Sequence, residues 1–280
     1  MGRETGILVV VATPIGNLDD LSPRAAEALR TADVVACEDT RRTAGLLRHA
    51  GSRAPMVPTH EHNEAGRAAN LVERVRRGEV VALVSDAGLP GVSDPGRAVV
   101  DAMHAAGLPV SVLPGPSAAA AALVASGFAV EPHRFVGFPP AKGAARARAV
   151  EDLLASTVTT VAFESPRRLP DLLARIADAE PGRELLVGRE LTKLHEEVVR
   201  GPAGELALRF AGPPKGEVTV VVSPAPAAGD DDGLADAVEA LLDAGLSPSS
   251  TADAVAALGI GRRNAAYRAA LAAEASRSDR

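Results

Sequence analysis

"LVSDAGLPGVSDPG", residues 83–96, decides how this chain is read. The apolar run that ends at Val84 has the length and β-branching of a buried strand. It then breaks into a segment holding Gly88, Gly91, Gly96, Pro90, Pro95, Asp86 and Asp94, more punctuation than a strand-to-helix turn requires. Glycines let a backbone approach a ligand closely and prolines hold a loop stiff. Asp94 before Pro95 reads as the cap of a following helix, which leaves Asp86 as the better ligand candidate.

Around this loop, short β-branched runs alternate with Ala-rich segments of helical length from Ile7 to about Gly127, the pattern of β-α units on a mainly parallel sheet. The strands expected are Ile7 to Ala12, Val34 to Cys37, Met56 to Pro58, Val80 to Val84 and Val110 to Leu113. Ser22-Pro23, Asp94-Pro95 and Ser165-Pro166 mark helix starts, and Gly51, Gly107 and Gly127 mark helix ends. Beyond Gly127 a second α/β unit is expected. It has a strand at Phe135 to Phe138, a basic helix from about Ala144, then "TTVAFE" and "RELLVG" flanking a helix from Pro166, and a closing strand in "GEVTVVV". The divisions are 1–127, 128–223, a Pro/Ala/Gly/Asp linker over 224–233, and a helical unit over 234–280 whose last two helices have helix-turn-helix spacing.

With 280 residues, 46% of them hydrophobic, the chain can fill two globular domains and is not disordered. A formal net charge of −6 argues against a surface coated in positive charge. A nucleic-acid partner therefore has to be met locally, at Lys142, Arg146 and Arg148, at Arg167 and Arg168, or at Arg262, Arg263 and Arg268. With no Trp and one Tyr, stacking of bases on aromatic rings supplies little. The lone Cys37 excludes an internal disulfide framework and a cysteine zinc cluster. No apolar run approaches the ~20 residues of a membrane span, and the first strand is reached without a cleavage signature, so the cytoplasm is the expected compartment.

Ligands of an open parallel sheet bind beyond the carboxyl ends of its strands. "ATPIGNLDDLS", "CEDTRRT", "PTHEHNE", the opening loop and "LPGPSAAAAAL" stand in turn at the five expected ends. None is a dinucleotide fingerprint or a P-loop, and no Ser nucleophile elbow is present. His60, Glu61 and His62 are adjacent, so they cannot share one helix face as zinc-binding histidines do, and no metal is expected. The residues alone thus describe an α/β protein that binds a small polar ligand largely with backbone groups.

Taken together, "TPIGNLDDLSPRA", "EDTRRT", "SDAGLPGVSDPG", "LPGPSA", "GFPPAKG", "FESPRRL", "RELTKLHEE" and "KGEVTVVV" resemble the RsmI family from about residue 6 to 222, and more weakly through the C-terminal helices. The resemblance implies a tetrapyrrole-methylase-like fold with two α/β domains and a donor cleft between them, and a homodimer. It also implies transfer of a methyl group from S-adenosylmethionine to the ribose 2′-hydroxyl of a decoding-centre cytidine in 16S rRNA, free or in the assembled small subunit. By the same resemblance Pro14, Gly16, Asp86, Ala87, Gly88, Ser117, Ala118 and Phe163 line the donor site. Glu38, Asp39, His60 and Glu190 are the candidates for taking the proton, and Arg41, Lys142, Arg189 and Lys193, with Arg262 and Arg263 in the C-terminal helices, for holding RNA. Leu89 and Arg167 depart from the family pattern. Two other readings stay open: a sister methyltransferase acting on a tetrapyrrole or another small molecule, and a ligand-sensing nucleic-acid-binding regulator whose reader is the C-terminal unit.

Overall fold

The computed structural model describes residues 5–60, 63–225, 232–261 and 263–278. The first sheet takes β1 (Ile7–Val11), β2 (Val34–Cys37), β3 (Met56–Pro58), β4 (Val80–Val84) and β5 (Val110–Leu113) in the order β3-β2-β4-β1-β5, with every pair parallel. Both faces of β2 and β4 at its centre are buried, as a parallel sheet requires. Val10, Val34, Val81 and Leu83 point to α3 (Glu64–Arg76) and α4 (Arg97–Ala105). Their neighbours Val11, Val35, Ala82 and Val84 point to α1 (Pro23–Thr31) and α2 (Thr40–Ala50).

The second sheet is mixed: β6 (His133–Phe135), β7 (Thr159–Glu164), β8 (Glu184–Arg189), β9 (Glu197–Pro202) and β10 (Val218–Val222), in the order β6-β7-β10-β8-β9. Only β6 and β7 pair in parallel. One face packs on α6 (Gly143–Leu154), α7 (Leu169–Ala179) and α8 (Ala203–Arg209). The other face receives α5 (Ala118–Ser126), whose Ala122 and Leu123 meet Val161, Leu186 and Val221. The helix that follows the fifth strand of one sheet is therefore a layer on the other. Then α9 (Asp232–Asp243), α10 (Pro248–Ala257) and α11 (Arg263–Ser278) enclose a core of their own around Leu234, Val238, Val255 and Ala266.

All five strands of the first sheet lie where the sequence puts them, to within a residue. Ser22 caps α1, its Oγ accepting from Ala25 N at 3.1 Å, and Gly51 and Gly127 end α2 and α5 in the left-handed region. Three expectations are corrected. The helix expected at Asp94-Pro95 starts at Arg97, because the carboxylate of Glu64 does the capping from α3, accepting from Gly96 N, Ala98 N and Val99 N at 2.9, 2.6 and 3.3 Å. The helix expected from Pro166 starts at Leu169, after a turn closed by Arg168 N to Ser165 O. The strand expected at Phe135 to Phe138 ends at Phe135. The sequence reading also missed β9 and α8. The expected linker over 224–233 falls mostly outside the described residues, and its last two positions belong to α9.

Candidate active site

At the carboxyl ends of the first sheet, the loops after β1 and β4 zip together. Thr13 N donates to Gly88 O at 2.8 Å and Gly88 N donates back to Thr13 O at 3.1 Å. Gly88 has φ +77, a conformation that an L side chain would strain. This pairing fixes one wall of a cavity of about 560 Å³, closed from the far side by the second sheet. Asp86, Ala87, Gly88, Ser117, Ala118 and Phe163 all line it, and Ser117 Oγ also caps α5 through Ala120 N. Pro14 and Gly16 do not line it, although Ile15 between them does. A Cβ built on Gly16 would come within 2.4 Å of Lys193 Cγ and 2.7 Å of Thr192 Oγ1, so this glycine lets the loop after β1 meet the loop after β8.

Three groups not picked out from sequence, Arg42, Phe138 and Glu217, line the cavity, as does Asp94, read from sequence as a helix cap. Arg42 had a readable signal, since it lies one helical turn before buried Leu46, whereas Arg41 faces water. Asp94, relieved of capping by Glu64, faces the cavity instead. Phe138 packs against Phe163 with ring centroids 5.5 Å apart.

The cavity is acidic. Asp86 Oδ2 accepts from Arg42 Nη1 at 2.9 Å and Asp86 Oδ1 from the backbone N of Asp39 at 3.2 Å. Glu38, Asp94 and Glu217 also line the cavity, as does Glu164, whose carboxylate Arg146 and Arg168 already pair, and Arg42 is the sole cation among the described lining residues. Partial burial raises the Glu38 carboxyl above its ordinary value, and the charges of Asp86 and Asp94 push it further. Burial raises Asp94 as well, against a hydrogen bond from Ser85.

Of the four candidate proton acceptors, Glu38 alone lines the cavity. Asp39 caps α2 and pairs with Arg41 at 3.1 Å, and the Arg41 hydrogen bond holds its carboxyl below the usual range. Glu190 is held low by its hydrogen bond from Lys193, whose Nζ reaches Glu190 at 2.8 Å and Glu217 at 3.1 Å. His60 lies on the loop after β3, its backbone N donating to Asn63 Oδ1.

Among the expected RNA-holding cations, Arg189 pairs with Glu197 at 2.9 Å and Arg263 with Asp253 at 2.6 Å, while Lys142 is exposed at the start of α6. Arg262 lies outside the described residues. Arg146, read from sequence as part of a surface basic cluster, is 2% exposed. It donates to Glu164 at 2.9 Å, Asp171 at 2.6 Å, and the carbonyls of Pro140 and Arg168 at 3.1 Å each. No group of His, Cys, Asp and Glu among the described residues could hold a metal ion, and no described helix is long and apolar enough to cross a membrane.

The family model of the tetrapyrrole (corrin/porphyrin) methylases matches residues 7–207. A solved uroporphyrin-III C-methyltransferase from Thermus thermophilus shares the fold with a TM-score of 0.56 and 25% identity, over 77% of this chain and 94% of that one. A ribosomal RNA small subunit methyltransferase I from Mesorhizobium japonicum is 43% identical over 93% of this chain and 90% of its own length. The protein of that name from Mycobacterium tuberculosis is 44% identical, over 90% of each chain. The one from Thermotoga maritima is 41% identical, and 98% of it is matched by 78% of this chain. Within the tetrapyrrole methylase fold, the chain belongs to the ribosomal RNA small subunit methyltransferase I family and is a methyltransferase.

Proposed function

We propose that this protein transfers a methyl group from S-adenosylmethionine to the ribose 2′-hydroxyl of a decoding-centre cytidine of 16S rRNA, in the cytoplasm. The observation that carries the reading is the acidic cavity at the strand ends, in a chain whose relatives bear a ribosomal RNA methyltransferase name.

The lining fits the donor. A cavity of about 560 Å³ suits a ligand of that size. Its surplus of carboxylates suits a ligand with two cationic centres, and Arg42 is at hand for the ligand's own carboxylate. Asp86, Ala87, Gly88, Ser117 and Ala118 hold the donor from one side and Phe163 from the other. Pro14 and Gly16 act from behind, by setting the loop that carries Ile15. The donor brings a methyl group already activated for displacement.

The protein's task is then to align the hydroxyl and take its proton. Alignment can lower a barrier by about 7–11 kcal/mol. Glu38 is the proton acceptor in this reading, because it lines the cavity and its raised pKa makes it a stronger base than an ordinary carboxylate. Lys142 meets an RNA phosphate. The reading includes a homodimer: Val124 on α5 and Val112 on edge strand β5 are exposed apolar residues that a second copy can cover.

The test is transfer of labelled methyl to small ribosomal subunits lacking the modification, with the nucleoside identified by mass. A single 2′-O-methylcytidine is the expected product. Donor binding without transfer to subunits or naked rRNA would shift the assignment to a small-molecule methyltransferase.

A further inference from the structure

Loop 190–196 joins β8 to β9 and forms part of the cavity mouth through Leu191. It has two unusual properties. Leu194 is 94% exposed, more than any other large apolar side chain among the described residues. The backbone that presents it is strained and heavily fastened. Glu190 and Thr192 hold φ values of +51 and +66, which are costly for residues with a Cβ.

Two consecutive turns, Lys193 N to Glu190 O and Glu196 N to Lys193 O, set the tip. Thr192 N donates to Glu196, Lys193 Nζ ties the loop to Glu190 and Glu217, and Asn17 N donates to Thr192 Oγ1 from the loop after β1. Leu194 follows Leu191 by three residues, so their Cα atoms are no more than about 11 Å apart. A loop that only connected two strands would need neither the strain nor a leucine in water.

We propose that Leu194 is an apolar wedge that packs against a base of the substrate RNA next to the target nucleotide and holds that nucleotide open to the cavity. The inference rests on the RNA reading above. Leucine serves as such a wedge in proteins that unstack nucleic acids, and in a chain without Trp it takes the place of an aromatic platform. A ribose hydroxyl can reach an enclosed donor only if its nucleotide leaves its stack, a requirement shared with enzymes that act on extruded nucleotides.

The test compares Leu194→Ala and Leu194→Met with the wild type in methyl transfer to small subunits. Donor affinity, melting temperature and oligomeric state are followed in parallel, together with the fluorescence of 2-aminopurine placed beside the target in a model RNA. The expected result for Leu194→Ala is a loss of about ten-fold or more in kcat/KM. Donor affinity, melting temperature and assembly stay unchanged, and the wild-type rise in 2-aminopurine fluorescence disappears. Leu194→Met recovers most of the activity. Wild-type kcat/KM in Leu194→Ala overturns the wedge, as does a loss accompanied by a change of oligomeric state, which would make Leu194 an interface residue. If the wild type binds donor but transfers nothing to RNA, the functional reading itself has failed, and the wedge with it.

Discussion

Two arginines reach carboxylates at strand ends, Arg146 to Glu164 at the end of β7 and Arg42 to Asp86 after β4, and they do different things. Arg146 and Glu164 are removed from water, with side-chain exposures of 2% and 0%. Each also has further partners: Arg146 has Asp171 and two carbonyls, and Glu164 has Arg168 and the backbone N of Ser165. Arg42 is 61% exposed and outnumbered by Glu38, Asp86, Asp94 and Glu217. A buried charge with all its partners in place joins structural elements. Around the cavity, burial and neighbouring carboxylates raise the pKa values of Glu38 and Asp94, which is the state that chemistry requires.

The sharpest test of this contrast separates activity from stability. Glu38→Gln should lower methyl transfer by about 10²- to 10⁴-fold, the range for a lost general base. In the wild type, activity should fall as pH drops through a pKa above the ordinary carboxylate range, and the variant should lose that limb. Stability should move the other way. The folded state holds the Glu38 proton more tightly than the unfolded chain does, so ionising Glu38 weakens the fold as pH rises through its raised pKa. Glu38→Gln should therefore melt at or above the wild-type temperature at neutral pH. A lower melting temperature would place Glu38 with Arg146 as a structural group.

Arg146→Met is the converse. Removing one partner of a buried pair costs about 3–5 kcal/mol, because Glu164 stays out of water with Arg168 as its one remaining cation. Denaturant unfolding should show that loss. The lost stability should return when Glu164→Gln is added, if the damage comes from the stranded charge. A double variant as unstable as the single one would show that the guanidinium's bonds to the Pro140 and Arg168 carbonyls dominate.

The contrast also explains what the sequence could disclose. The first sheet was legible because its central strands β1, β2 and β4 are short apolar runs rich in β-branched residues and largely buried on both faces. The cavity loops after β1, β2, β4 and β5 were legible because they follow strands of that sheet. Arg146 was not, since an arginine in "AARARAV" looks the same whether it faces water or a glutamate 18 residues further on. Asp94 was misread for a related reason: local capping competes with remote capping, and the carboxylate that won, Glu64, is 32 residues from the Gly96 amide it meets. β9 and α8 were missed because β9 is a half-exposed edge strand and α8 is only 7 residues long. Charge pairing and remote capping depend on tertiary structure, whereas periodicity and turn chemistry are local.

Gly16 tests whether the loops after β1 and β8 are fitted to each other. Gly16→Ala places a methyl group against Lys193 Cγ, Thr192 Oγ1 and the carbonyl of Leu191, the last at 2.9 Å. Overpacking of this kind costs about 1–3 kcal/mol. Since Leu191 and Ile15 line the cavity, donor affinity should fall along with stability. An unchanged donor Kd with reduced stability would show that the contact shapes the fold and not the site.

The smallest effects distinguish an unpaired cation from a paired one. Lys142 is exposed, with no carboxylate within ion-pair distance among the described residues, whereas Arg263 is already bonded to Asp253. If Lys142 neutralises an RNA phosphate, Lys142→Ala should reduce the slope of log K against log salt for rRNA binding by about 0.7 to 0.9. Arg263→Ala should leave that slope unchanged, because its charge is compensated before RNA arrives, and as an exposed pair it should leave stability nearly unchanged. A fall in slope for Arg263→Ala would mean that Asp253 gives up its partner on binding. The C-terminal helices would then belong to the RNA surface, despite a pairing that argues against it in the free protein.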